Sequence, residues 1–240
     1  NQIIQSLKKN KNVFVEKPLA LKHKEIDEIE KVFKESEKKL MVGFNRRFSP
    51  QIKKMKYLLD AKSKPKTFVM TMNAGYISPD HWTQNKEIGG GRIIGEACHY
   101  IDLMRFLAGS RIISFTAKKM SDASENKIFD DNCSISLVFN DGSMGTIHYF
   151  SNGNKSFPKE RVEVFCDGSI LKLDNFKKLK GYGWSGFSSM NLWRQDKGQS
   201  RCVHEFIESV NNQSDSPIPS NEIFEVARIT LDISDALNKQ

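Results

Sequence analysis

The chain has 240 residues, 38% of them hydrophobic, and a formal charge of +8, enough length and apolar content for one large or two ordinary domains. No apolar stretch approaches the ~18 to 20 residues of a membrane span, and no charged-then-apolar leader pattern is present. Four cysteines spaced 33 to 36 residues apart suit neither a zinc cage nor a disulfide scaffold, so a cytoplasmic protein with reduced thiols and no membrane partner is expected.

The charge is local: residues 1–66 hold 18 of the 37 Lys and Arg but only 8 of the 29 Asp and Glu, which puts +10 there and −2 on the rest. Such lysines fit a solvated surface, and no arginine-aromatic interleaving supports nucleic acid as a partner.

The opening "NQIIQSLKKN" reads as the end of a helix with Ile3, Ile4 and Leu7 on one face. Asn1 is not an initiator Met, and the chain is expected to be a fragment of a larger protein. Val13, Phe14 and Val15 form an apolar run without alternation, which suits a parallel strand covered on both faces. Such strands release functional groups at their carboxyl ends, where Glu16, Lys17 and Pro18 stand. A helix over about 22–39, with Ile26, Ile29 and Phe33 at helical spacing, leads to a second strand at 40–44. This β-α-β unit offers two parallel strands where a doubly wound sheet would want five or six, and so reads as the tail of a larger domain. "GFNRRF" places Asn45, Arg46 and Arg47 just past the second strand, where one arginine should face the cleft.

The remainder, 49–240, changes character. Strands are predicted at 67–74, 111–119, 133–140, 143–150, 161–166, 169–173 and 176–180, with Asp141-Gly142 and Asp167-Gly168 marking hairpins. Loops are predicted around 75–91, 121–130, 151–158, 181–201 and 211–220. Helices near 93–108, 199–211 and 220–238 should cover one face of the sheet through sets such as Val203, Phe206, Ile207 and Val210. The fold class is therefore α+β: the β-α-β tail of one domain, followed by a large, mainly antiparallel open sheet with helices on one face. A mildly polar second face, with Ser134, Ser136, Thr146 and His148, predicts a homodimer through that sheet.

The most specific stretch is "GGGRIIGEACHYIDLMRFLAG" at 89–109. Together with Glu16-Lys17-Pro18 after one buried strand and "GFNRRF" after the next, it resembles the Gfo/Idh/MocA family of nicotinamide-dependent oxidoreductases. The resemblance implies that residues 1–48 are the last β-α-β part of a dinucleotide-binding Rossmann domain, with NAD or NADP as cofactor and the main binding motif outside these residues, and that 49–240 are a carboxyl-terminal domain for substrate and dimer contacts. "FPKER", "LDNF" and "QDKG" are similar to a branch in which this module follows an alcohol-dehydrogenase-like domain. That branch implies a sugar or sugar nucleotide as substrate, in polysaccharide biosynthesis. The alternative within the same family is a catalytically silent dinucleotide-binding regulator.

Each residue also has its own chemistry. Lys17 can stabilise negative charge on a substrate oxygen or bind the nicotinamide ribose, or be a plain surface lysine; Glu16 can orient it, and a cis bond to Pro18 would fix the turn. His99 suits a general base, or a satisfied core histidine. The family places an Asp four residues before the His, but Gly95 stands there, which leaves Glu96, one residue on, to assist. Asp102 can orient His99 or serve structure; Tyr100, Leu103 and Met104 read as core. Expected cofactor contacts are Glu16, Lys17, Pro18, Asn45 and Arg46. Expected substrate contacts are Arg47, His81 and Trp82, the indole as a flat wall for a sugar ring, and Lys159 and Arg161 as an anion-binding pair. No metal site is expected.

Overall fold

A computed structural model of the chain describes residues 2–78, 80–122 and 127–240, with backbone alone for Asp122 and 127–130. The first helix, α1 (Gln2–Lys8), buries Ile3 and Leu7. The strand β1 (Val13–Val15), the helix α2 (His23–Lys34) and the strand β2 (Leu40–Val42) form the expected unit. The strands pair in parallel, Val13 opposite Leu40 and Val15 opposite Val42. Only β2 is buried throughout; Phe14 and Val15 of β1 are half-buried. The helix α2 starts where the Glu25 carboxylate accepts from the backbone N–H groups of Leu21 and Lys22 at 3.0 and 3.2 Å, satisfying donors that a helix leaves free.

After a short 3₁₀ turn at Asn45–Phe48 comes a helix the lysine-rich composition concealed, α3 (Pro50–Asp60). Proline at its first position is compatible with helix entry, and Ile52, Met55 and Leu59 are buried at helical spacing while the lysines between them face outward.

Eight strands then build one sheet: β3 (Thr67–Asn73), β4 (Ile112–Asp122), β5 (Lys127–Phe139), β6 (Met144–Phe150), β7 (Glu160–Cys166), β8 (Ser169–Asp174), β9 (Lys178–Tyr182) and β10 (Ser189–Asn191). Their order is β10-β9-β8-β7-β3-β6-β5-β4. All neighbours are antiparallel except β3 and β6, because β3 arrives by a long connection and inserts between β7 and β6. The turn from β7 to β8 puts Asp167 and Gly168 at φ 47° and 71°, the twist a two-residue hairpin requires.

The predicted loop at 121–130 is mostly strand. β4 and β5 extend to Asp122 and from Lys127, with 123–126 outside the described residues. An irregularity in the pairing after Lys119 sits beside Asn132, whose side chain bonds both the backbone N–H and the hydroxyl of Ser151 at 2.9 and 2.8 Å; such a bulge breaks the alternation on which sequence reading depends. The edge strand β10 likewise lies in a predicted loop.

One face of the sheet carries Phe68, Met70, Ile135, Leu137, Ile147, Val162, Val164 and Leu171, all buried. Burying each such side chain contributes about 1.5 to 3 kcal/mol. The covering helices are α4 (Cys98–Ala108) and α6 (Ser220–Asn238). The first lies so close to β6 that a side chain at Gly145 would meet Phe68 Cβ at 2.5 Å and Met104 Sδ at 2.9 Å. The helix α5 (Gln199–Asn211) does not cover the sheet as predicted. It packs on the Asn45–Phe48 turn and sets Phe206 against Phe14, centroids 5.6 Å apart. Its Val203 and Ile207 are exposed, because this contact is narrower than the apolar set suggested.

Leading into α4, the chain is helical from Gly91 and widens into a π turn over Ile93–Ala97. Turns of this kind concentrate at functional sites. No helix of the described residues is long and apolar enough to cross a membrane.

Candidate active site

A cavity of about 660 Å³ lies where the carboxyl end of β1 meets the helical run from Gly91. Lys17 and Pro18 reach it from β1, Arg46 from the turn after β2, and Arg92, Gly95, Glu96 and His99 from the helix, while Trp82 and Thr83 close one side. Residues far apart in the chain are joined because parallel strands present their ends to one crevice.

The Lys17-Pro18 bond is cis, and the Lys17 ammonium donates to the carbonyl oxygen of Gly95. Glu16 does not orient it: its carboxylate lies over Gly43, and no bond joins it to Lys17 among the described residues. His99 is buried, with its ring edge-on to Phe44 at 6.1 Å and its Nδ1 without a partner. Burial first, then the charges of Arg46, Lys17, Lys197 and Lys159, hold its pKa well below the usual 6.5. The imidazole is therefore neutral near pH 7 and able to accept a proton.

Glu96 has a different character. Lys159 donates to its Oε1 at 2.7 Å; Arg92 and the Tyr149 hydroxyl donate to its Oε2 at 3.2 and 2.5 Å. Burial disfavours the charge, but Lys159, Tyr149 and Arg92 outweigh it and bring the pKa down to about 2. Glu96 is a fixed anion and has no proton to give at neutral pH.

The two arginines of "GFNRRF" part company. Arg46 borders the cavity, donates to Glu160 through Nε and Nη2 at 3.0 and 3.2 Å, and stacks on Tyr100 at 4.9 Å. Lys197 completes this buried group by donating to Glu160 at 2.6 Å. Arg47 is not a substrate contact. It turns into the core, where it forks onto Asp102 at 2.6 to 3.0 Å and reaches Glu222 at 2.5 Å. Burial pushes the Asp102 carboxyl up to about 6 in spite of Arg47, and Asp102 is thereby structural, with no bond to His99.

Other expected contacts are also placed. Arg161 is corrected: side chains alternate along a strand, so buried Glu160 faces the cavity side and Arg161 the open face, where its guanidinium covers Phe157 at 5.5 Å. Lys159 is engaged with Glu96, and Asn45 donates to the carbonyl of Lys197 at 2.7 Å, holding that loop. Trp82 lines the cavity and is 62% exposed. His81 is turned to Thr83, 2.9 Å away, and is not part of the wall. Arg92, Tyr149, Glu160 and Lys197 escaped sequence reading; only Arg92, four residues before Glu96 and so one helical turn away, carried a local signal. Among the described residues no cluster of His, Cys, Asp or Glu could hold a metal ion.

The residues that line the cavity fit the nicotinamide end of a dinucleotide: an ammonium at a strand end, a neutral imidazole with an orphaned ring nitrogen, and room for a ring beside them. A sequence model of the GFO/IDH/MocA C-terminal domain matches residues 53–172, and one of an oxidoreductase family with an NAD-binding Rossmann fold matches 1–44. A myo-inositol 2-dehydrogenase of Thermotoga maritima is 26% identical over 179 residues, 73% of this chain and 53% of that protein. An inositol 2-dehydrogenase of Rhizobium meliloti is 27% identical over 88% of this chain and 67% of its own. The chain thus spans about half to two thirds of these relatives. Among solved structures, an NAD-binding oxidoreductase from Klebsiella pneumoniae superposes with a TM-score of 0.84 at 19% identity, covering 99% of this chain and 74% of that one. A levoglucosan dehydrogenase in complex with NADH and levoglucosan gives the same figures. The chain belongs to the Gfo/Idh/MocA family of oxidoreductases.

Proposed function

We propose that the protein moves hydride between a carbinol carbon of a sugar or sugar nucleotide and NAD(P). The observation that carries this reading is the pairing, in one cavity, of a neutral buried imidazole with an ammonium whose partner is a carbonyl oxygen. His99 takes the hydroxyl proton, and Lys17 stabilises charge on the carbinol oxygen as that proton leaves. Glu96, permanently ionised, anchors Arg92 and Lys159 at the rim. The cofactor, when bound, supplies the hydride acceptor; Lys17 and Pro18, with Glu16 beside them and Arg46 opposite, would hold its nicotinamide end, and Asn45 acts through the Lys197 loop. In this reading residues 1–48 complete a dinucleotide-binding domain and 49–240 serve substrate binding and dimerisation. The similarity of "GGGRIIGEACH" and "FPKER" to the polysaccharide branch supports the substrate class, and four buried free thiols accord with a cytoplasmic setting.

The test is steady-state kinetics of the intact protein with NAD(P) and a panel of sugars. Truncating His99 to Ala should lower kcat at least ~100-fold, the usual weight of general acid-base catalysis, with little effect on KM, since the interaction belongs to the transition state. An unchanged kcat would remove the mechanism, and dinucleotide binding without turnover of any sugar would favour the silent regulator.

A further inference from the structure

The carboxylates bordering the cavity are all committed. Glu96 is held by Lys159, Arg92 and Tyr149. Glu160, behind Arg46, is taken by Arg46 and Lys197, and Glu25 by the backbone N–H groups that open α2. Lys17 has no carboxylate partner among the described residues; one of its three donors rests on the Gly95 carbonyl. Gly95 itself contributes no side chain to the wall. A Cβ added at Gly95 would have only the Gly89 carbonyl oxygen within 4 Å, at 3.3 Å, and Gly95 has no positive φ that would require glycine. The space beside Lys17 and His99 is therefore open, and the helical run whose positive end starts at Gly91 borders it. A half-buried ammonium with a neutral partner gains most from an anion within hydrogen-bond reach.

We infer that the substrate supplies that anion: it is a sugar acid whose carboxylate occupies the space beside Gly95 and pairs with the Lys17 ammonium. Among the described residues Lys17 is the one cation lining the cavity without an acidic partner, and a single ammonium matches the one charge of a carboxylate better than the two of a phosphate. The inference rests on the oxidoreductase reading of the same cavity and narrows its substrate class.

The experiment is calorimetric binding to the intact protein, with NADH rather than NAD⁺ present so that no carbinol can be oxidised, of two matched pairs: glucuronate with glucose, and UDP-glucuronate with UDP-glucose. At least one acid should bind 10-fold or more tightly than its neutral partner. Gly95→Asp places a carboxylate beside Lys17 and should abolish that preference, whereas Gly95→Ala, which adds bulk without charge, should retain it. Should Gly95→Asp fail to fold, Lys17→Gln must remove the preference instead. Equal binding of acid and neutral sugar, binding of neither acid, or a preference that survives in both folded Gly95→Asp and Lys17→Gln overturns the inference. Because NADH cannot accept hydride, binding is measured without oxidation of the sugar, and acid-selective binding with no hydride transfer in a separate assay with NAD⁺ would sink the oxidoreductase reading and uphold this one. Turnover of neutral sugars with no acid preference would do the reverse.

Discussion

Replacing Glu96 with Gln keeps the shape of the side chain and removes its charge, so the variant measures what the fixed anion is worth. A carboxyl brought from its ordinary 4.5 to about 2 favours its ionised form by about 3 kcal/mol. Not all of this appears as stability, since the Lys159 side chain is 41% exposed and can turn to water, and Arg92 keeps the carbonyls of Ala74 and Gly75. A loss of about 1 to 2 kcal/mol at pH 7 is expected after that discount. The pH dependence is the sharper signature. Because the folded pKa is depressed, the contribution is present in full above about 4.5 and disappears as pH falls from there toward 2. Urea unfolding of both proteins at pH 7, 5 and 3 should show a gap that is constant between the first two and roughly halved at the third. A gap that holds steady to pH 3, or widens there, would show that Glu96 is not ionised by its three partners.

Removing Arg47 by substitution with Ala leaves Asp102 buried without its counter-charge and should cost about 3 to 5 kcal/mol; an unfolding free energy within about 1 kcal/mol of the parent's would contradict the pairing. If His99 is the base, its depressed pKa keeps it unprotonated below pH 6.5. The acid limb of kcat/KM against pH, which reports groups of the free enzyme, should then fall below that value rather than at it. The outer sheet face exposes Ile113, Val138, Met144 and Phe165 among polar neighbours, and we expect it to be shared by two copies related by a twofold axis. Light scattering of a Phe165→Asp, Val138→Lys variant should report a monomer where the parent is a dimer, and a parent that is monomeric at every concentration would remove the claim.

What could be read from the sequence was what local pattern encodes. β6, β7 and β8 alternate cleanly, and an Asp-Gly pair stands before each of β6 and β8, so their positions were legible within a residue or so. Lys17 and His99 were legible because each stands beside a distinctive neighbour, a proline in one case and a glycine run in the other. Arg46 and Arg47 could not be told apart, since their partners lie 114, 55 and 175 residues away in Glu160, Asp102 and Glu222. Nothing within a window of sequence says which guanidinium faces a cavity and which a core acid. Glu96 shows the same limit: its position on the helix was visible, but Tyr149 and Lys159, which make it a fixed anion, come from the sheet and the loop after it. The helix α3 was missed because Lys53, Lys54 and Lys56 interrupt the buried set of Ile52, Met55, Leu58 and Leu59 that defines its face.

The π turn at Ile93–Ala97 makes the site sensitive to chain length as well as to residue type. Turns of this kind hold one residue more than an α-helix would, and each α-helical residue rotates the chain by about 100°. Shortening 93–97 by one residue would let the turn relax, and one flank would have to swing through that angle. The downstream flank is pinned, since Tyr100, Leu103 and Met104 are wholly buried. The upstream flank must move, and it carries Gly91 and Arg92, with their share of the cavity rim. A single-codon deletion would thus put rim and floor out of rotational phase while the core contacts of α4 survived, and the loss would fall on the buried Arg92, Ile93 and Ile94 and on the pocket they support.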